Sequence, residues 1–291
     1  MLSRARSFFL ERNIFEVDVA ALSRQSSVDL HIDIIEAHAL NERFFLHSSP
    51  EYGMKKLLSE GSGDIFQLSH VFRDNEKGAR HSIEFMMAEW YRLGFSLSQM
   101  IEETVEFIEL FVQKKKRVQM SYKQAFLRYV GIDPFRVEEK ELRHRMPLEM
   151  GSLDDMINWL LVGVIEQKMK EEGLFVLTHY PVSQAALSKR AIHDGDEVGE
   201  RFEVYYDGME LANGYHELCD PKEQKERLEQ ANKERQAIGK STLPVDYSFI
   251  KALEKGMPPC SGVAVGFDRL MMLRHNKSVI EDVLPHPVDP L

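Results

Sequence analysis

Cysteine is nearly missing from this chain: among 291 residues only Cys219 and Cys260 carry thiols. Two such residues define neither a disulfide framework nor the paired spacing of a metal or redox motif. A reducing cytoplasm is the compartment expected from that usage. No apolar run approaches the roughly 18 residues that a membrane-spanning helix needs, so no membrane association is expected. Near the start, Phe8, Phe9 and Leu10 give way at once to Glu11 and Arg12, too short and too quickly charged for a signal peptide. Several signatures of chemistry are missing too. There is no G-x-x-x-x-G-K-[ST] loop, no G-x-G-x-x-G after a strand, no H-E-x-x-H and no G-x-S-x-G. A nucleotide, if bound, has to be held without the common phosphate loop. Positive charge is in short supply: 37 Lys and Arg face 47 Asp and Glu, a net charge of -10. Binding along nucleic acid relies on a basic surface that displaces counter-ions from phosphates, and this balance argues against it. It suits a basic protein partner or a cationic small substrate better. The one dense basic run, Lys114-Lys115-Lys116-Arg117, reads as the solvated end of a long helical pattern, where the macrodipole favours cations.

What is present is an ordinary apolar content of 43%, enough for a real core. Periodicity predicts helices over 3–12, 51–60, 97–115, 153–171, 221–238 and 267–275, and strands over 30–36, 43–47, 64–72, 84–92, 174–179, 201–206 and 262–265. The strands 64–72 and 84–92, joined by the polar loop 73–83, form a long antiparallel hairpin. Asp207-Gly208 is a tight-turn dipeptide leading into Met209–Leu218. Hairpins punctuated by helices indicate an α+β fold with a mostly antiparallel sheet.

Four segments carry residues suited to chemistry. Glu210 and Glu217 are seven apart and would face opposite sides of a straight strand. A bulge at Asn213-Gly214 puts both carboxylates on one face, and is preferred over a hairpin turn that would set them opposite each other. Two like charges so placed either share a divalent cation or are solvated on a rim, and the residues alone leave both open. In Ser261–Leu270 a short strand meets a helix through Gly266, which leaves room for a planar base or phosphate. Arg269 sits in that helix's first turn, where the dipole disfavours a cation; it either reaches an anion or pairs with Asp268. Arg73 at the hairpin rim suits an α-phosphate. Phe85, Met87, Glu89 and Tyr91 share one strand face, an apolar floor with an embedded carboxylate and phenol that favours an ammonium group; plain core is the competing reading. Ser49-Pro50-Glu51 opens a helix, with Ser49 expected as its cap and Pro50 at the first position, and needs no function to explain it.

Taken together and in this order, these segments resemble the catalytic domain of class II aminoacyl-tRNA synthetases. Phe72-Arg73 is similar to motif 2, and Gly262–Leu270, with its Gly-x-Asp-Arg-Leu ending, to motif 3. Ser49-Pro50-Glu51, Glu84-Phe85, Glu89-Trp90-Tyr91 and Glu210–Leu218 narrow the likeness to the lysyl branch. Within it, the resemblance is to stand-alone enzymes that attach (R)-β-lysine to elongation factor P, and it covers nearly the whole chain. It implies one catalytic domain over residues 1–291, with a mostly antiparallel sheet of six or seven strands flanked by helices, and a homodimer. It also implies ATP and Mg²⁺, β-lysine or lysine as substrate, an aminoacyl-adenylate, and transfer to a lysine ε-amine of elongation factor P. By the same resemblance Arg73 and Arg269 are catalytic. Arg73, Asp74, Asn75, Ser82, Phe85, Glu210, Leu211, Gly266 and Arg269 border ATP, and Glu210 and Glu217 hold the metal. Ser49, Pro50, Glu51, Glu89, Tyr91 and Glu217 line the lysine-like substrate. A lysyl-tRNA synthetase carries an anticodon-binding barrel before this core, whereas here Ile14-Phe15-Glu16-Val17 follows a single helix. A protein acceptor is therefore expected, not tRNA. Lysine activation for another acceptor and a catalytically silent binding subunit are the alternatives. The chain departs from the family pattern at Ala20, where motif 1 has proline, at Asp74-Asn75-Glu76, where motif 2 reads Arg-x-Glu, and at Ser82-Ile83, where Asn-Pro is common.

Overall fold

The computed structural model of this chain describes residues 1–144, 146, 151–285 and 287. The backbone forms two compact units, residues 1–112 with 217–291, and residues 113–216.

In the first unit the strands run in the order Phe15–Glu16, Ile65–Phe72, Glu84–Leu93, Cys260–Gly266; only the first pair is parallel. The expected long hairpin is there, in register from Ile65 opposite Tyr91 to Phe72 opposite Glu84. Strand alternation splits its residues between two faces. Phe66 and Trp90 face the helices Leu2–Leu10 and Leu97–Glu109. There Phe9 stacks on Phe66 at 4.4 Å and on Phe107 at 5.1 Å, and Trp90 lies 5.2 Å from Phe107. The indole Nε1 donates to Glu103 Oε1 at 2.9 Å, so the one polar atom of this aromatic core is satisfied. The opposite face carries the rows Gln67–Glu89–Ala264 and Ile65–Tyr91–Gly262. On that face lies a cluster of buried acidic side chains.

A small antiparallel sheet in the same unit orders Leu22–Ser23, Glu42–Leu46, Glu36–Ala39. A strand was expected over 30–36. Instead the Asp29 carboxylate accepts the amides of His31 at 2.7 Å and Ile32 at 3.0 Å, an Asx-type turn that keeps the chain from extending. The strand begins later and turns through Leu40 and Asn41, at φ 54° and 60°.

In the second unit the order is Met209–His216, Asp196–Tyr206, Leu174–Pro181, Arg117–Ser121, with Arg190–His193 also paired to Asp196–Tyr206. All pairings are antiparallel except the one joining Arg117–Ser121 to Leu174–Pro181. Tyr122, Phe126, Leu160, Ile165, Phe175, Leu177 and Tyr205 belong to its buried core. Asp207 and Gly208 turn at φ 50° and 70°, the tight hairpin read from the sequence.

The expected α+β class with mostly antiparallel pairing and flanking helices is borne out. Apart from the small sheet, the strands come to four in one unit and five in the other among the described residues, nine against the six or seven expected. Short edges such as Phe15–Glu16 and Arg190–His193 account for the excess. The helix expected over 97–115 stops at Glu109, and the basic run after it lies in a loop and the start of a strand. Lys115 Nζ there binds Asp207 Oδ1 at 2.7 Å, so the run is not a helix end. A capping box of Ser121 and Gln124 starts the further helix Tyr122–Tyr129.

Candidate active site

The first unit buries a cluster of charge. Lys55 is fully buried, and its Nζ lies 2.6 Å from both Glu51 Oε1 and Glu217 Oε2. It sits one turn after Glu51 in the helix Glu51–Ser59, on the face that also buries Tyr52 and Leu58. Burial works against its charge, but the carboxylates of Glu217 and Glu51 more than overcome this and hold its pKa well above the usual lysine range. Burial pushes the carboxyl of Glu217 upward against the pull of Lys55. Next to this triad, Glu89 accepts from Ser49 Oγ at Oε2 and from the Tyr91 phenol at Oε1, both at 2.7 Å. Burial, then the charge of Glu51, raises Glu89 to about 7. Ser49 also accepts the amide of Glu51 at 3.0 Å. The helix begins at Glu51 with Pro50 at its cap position, so Ser49 lies one residue ahead of the place expected and joins the helix start to Glu89. Of the residues expected to meet a lysine-like substrate, Ser49, Glu51, Glu89, Tyr91 and Glu217 thus come together, with Pro50 between the first two.

Two guanidiniums belong to the same unit. Arg73 Nε points to the carbonyl of Ser48 at 3.5 Å, its guanidinium lies 5.2 Å from the centre of the Phe85 ring, and Glu76 is 3.6 Å away. Asn75 takes φ 61° with its amide on Asp74 Oδ1, while the Asp74 amide donates to Asp33 O at 2.8 Å. Ser82 is half-buried at the end of this loop. The Asp268 carboxylate accepts the amide of Met86 at 2.7 Å, which ties the helix Phe267–Arg274 to the hairpin. Arg269 is therefore not paired with Asp268. It donates from Nε to Arg80 O at 3.2 Å, and its Nη2 lies 2.6 Å from His81 Nε2. Motif 3 and the motif 2 loop are joined by this contact. Burial and the charge of Arg269 lower the pKa of His81. At Gly266 the φ is an ordinary -67°, and an added Cβ would come no closer than 3.7 Å to the Arg269 side chain. The backbone does not demand glycine there; glycine leaves bare surface.

In the second unit the register between Asp196–Tyr206 and Met209–His216 slips between Val204 and Tyr205. The extra residue is Leu211, so the bulge precedes Asn213-Gly214, which stays inside the strand and forms no turn. Through it half-buried Glu210, opposite Tyr205, shares a face with Asn213, opposite Glu203. Glu203 is compensated by Arg201 and by the phenols of Tyr180 and Tyr205.

The two acids of the expected Mg²⁺ pair have different surroundings. Glu217, with a side chain only 1% exposed, already has the Lys55 ammonium as its cation. Among the described residues no group of three His, Cys, Asp or Glu side chains is disposed to hold a metal ion.

Three residues at the site escaped the sequence reading. Lys55 carried a signal, a lysine one turn after Glu51 at a position the helix turns inward. His81 carried only its place in the loop 73–83. Gly262 is demanded by contact, since an added Cβ would lie 2.3 Å from Tyr91 Cε1 and 2.5 Å from Glu217 Oε1.

Residues 1–290 match the family described as class II tRNA synthetases (D, K and N). An elongation factor P–(R)-β-lysine ligase of Haemophilus influenzae is 40% identical over 301 residues, covering 99% of this chain and 93% of that protein. Proteins of the same name from Pasteurella multocida and Hamiltonella defensa are 37% and 36% identical, again over 99% of this chain and 93% of theirs. By sequence match, and in keeping with the hairpin and the motif 3 strand and helix described above, this chain belongs to the class II aminoacyl-tRNA synthetase family of the aspartyl, lysyl and asparaginyl type.

Proposed function

We propose that the chain is an ATP-dependent ligase that activates (R)-β-lysine, or lysine, and passes it to a lysine ε-amine of elongation factor P. The observation that carries this reading is the buried acidic pocket of Glu51, Glu89 and Glu217, joined through Ser48 and Ser49 to Arg73. Such a pocket suits a cationic amino acid, because its carboxylates are desolvated and attract an ammonium far more strongly than they would in water. With the amino group held there, the substrate carboxylate attacks the α-phosphorus of ATP. A carboxyl oxygen–phosphorus bond forms and the bond to pyrophosphate breaks. Arg73 balances charge growing on the α-phosphate, and Arg269 the departing phosphates. The acceptor amine then attacks the acyl carbon, AMP leaves, and the amine sheds its proton. Glu210 and Glu217 would hold Mg²⁺, which, bound with the nucleotide, would supply neutralisation of phosphate charge. Asp74, Asn75, Ser82, Phe85, Leu211 and Gly266 are proposed to border the nucleotide. A single catalytic domain, working in the cytoplasm as a homodimer, completes the reading.

The test is to incubate the purified chain with ATP, each lysine isomer and elongation factor P. The expected result is AMP and pyrophosphate release that depends on the amino acid, and an acceptor mass gain of one lysyl unit. Label arriving in RNA, or tight amino-acid binding with no ATP turnover, would replace this function with tRNA charging or with a silent binding subunit.

A further inference from the structure

Lys55 has no part in the chemistry above, yet it is fully buried among the residues that line the pocket. An ammonium removed from water is costly unless paired, so its position calls for a physical reason. Its partners come from two places: Glu51 from its own helix, and Glu217, whose amide is fixed to Cys260 O at 3.0 Å. Also near are the Phe249 ring, centred 5.9 Å from Nζ, and Glu89, which turns its two oxygens to Ser49 and Tyr91. Oε1 of Glu51 accepts a hydrogen bond from Lys55, and Oε2 of Glu217 meets it as an ion pair at 2.6 Å while accepting no hydrogen bond. Their other oxygens make no hydrogen bond among the described residues, and the Oε1 of Glu217 is turned toward the Cβ-less Gly262.

We propose that Lys55 is a positioning residue: an internal ammonium that clamps Glu51 and Glu217 so that their second oxygens are presented to the amino groups of a diamino acid. Resting on the proposed function, this inference adds the source of substrate selectivity. Three acids against one lysine leave acid in excess, and a substrate bearing two ammonium groups offsets that excess, drawing the proton off Glu89 as it binds. Without the clamp the two acids repel each other, and one is driven to keep a proton.

Amino-acid-dependent ATP–pyrophosphate exchange tests this, with KM for the amino acid and for ATP read separately. K55M is expected to raise the amino-acid KM by about 10²-fold and the ATP KM by less than threefold, while K55R, which keeps the charge, recovers at least tenfold of the loss. An unchanged amino-acid KM in K55M, or an equal rise in both, overturns the clamp. Should K55M not fold, K55M/E51Q restores the charge balance. Amino-acid binding at least tenfold weaker than in E51Q alone then supports the proposal, and equal binding overturns it. A wild-type chain that binds no diamino acid overturns both the functional reading and the clamp, which separates that failure from a failure of Lys55 alone.

Discussion

The hydroxyl of Ser49 donates to Glu89 Oε2 across 2.7 Å, joining the residue ahead of one helix to the middle of a strand 40 positions away. Tyr91 donates to the other oxygen. Even so, burial and the nearby charge of Glu51 push the carboxyl of Glu89 up to about 7, so that near neutrality it is balanced between acid and carboxylate.

A pH dependence follows with a definite sign. In the unfolded chain a glutamate loses its proton near pH 4.3, roughly, whereas folded Glu89 holds it to about 7. The folded state therefore binds more protons between those values, and this group's contribution to stability falls as pH rises through the window. Binding of an ammonium needs the carboxylate, so amino-acid affinity moves the other way. The amino-acid KM in ATP–pyrophosphate exchange is expected to fall by up to about tenfold for each unit that pH rises toward 7, with the ATP KM flat. E89Q is expected to raise that KM and flatten the slope, leaving only what the raised carboxyl of Glu217 contributes. A slope unchanged in E89Q would assign the titration to another group.

Gly262 gives the second prediction. An alanine methyl would press 2.3 Å from Tyr91 Cε1, and the Tyr91 ring, 2% exposed, has no room to retreat. Overpacking of this kind costs about 1–3 kcal/mol. G262A is expected to lower the unfolding midpoint in urea and to raise the amino-acid KM by about 10²-fold or more, through displacement of Tyr91 and Glu217. Unchanged kinetics would show that the pocket tolerates that displacement.

Removing charge partners of the nucleotide is expected to be felt in turnover. R269A and E210Q should each lower adenylation by about 10²–10³-fold, the scale for losing a preorganised partner of developing charge. R269A also has a reading that needs no substrate. With the guanidinium gone from beside His81 Nε2, the imidazole pKa is expected to rise toward its ordinary value, followed by NMR of the ring protons. A His81 titration identical in wild type and R269A would contradict the contact.

The hairpin carrying Arg73 and Glu89 was legible because strand alternation and a polar loop are local signals, and so was the Asp207-Gly208 turn. The bulge was read two residues late: its place is set by pairing with Val204 and Tyr205, which no local pattern in 209–218 reveals. The strand Arg117–Ser121 was missed because five residues behind a lysine run continue a helical pattern as readily as they start a strand. The pairing of Glu217 with Lys55 was out of reach for a related reason. Sequence shows two acids wanting a cation, and it does not show that the cation is a lysine 162 positions away. Order and type of motif are carried by neighbours in the chain; charge compensation in a core is carried by neighbours in space.

The last prediction concerns stability in the second unit. Arg201 reaches Glu203, Asn213 Oδ1 at 3.1 Å and the carbonyl of Gln184, and its guanidinium lies 4.5 Å from the centre of the Tyr180 ring. The Tyr180 phenol closes the network on Glu203 Oε2 at 2.5 Å. With both ions largely withdrawn from water, E203L leaves a guanidinium without its counter-charge and two phenols without an acceptor. A broken buried pair costs about 3–5 kcal/mol. Replacing both partners with apolar residues of similar size is often close to neutral, so R201M/E203L is expected to recover most of the loss in urea unfolding. Full stability without activity in that double variant would mean that the pair is kept for the geometry it imposes on Asn213 and Glu210. A double variant as unstable as E203L would instead make the phenol network, and not the ion pair, the source of the stability.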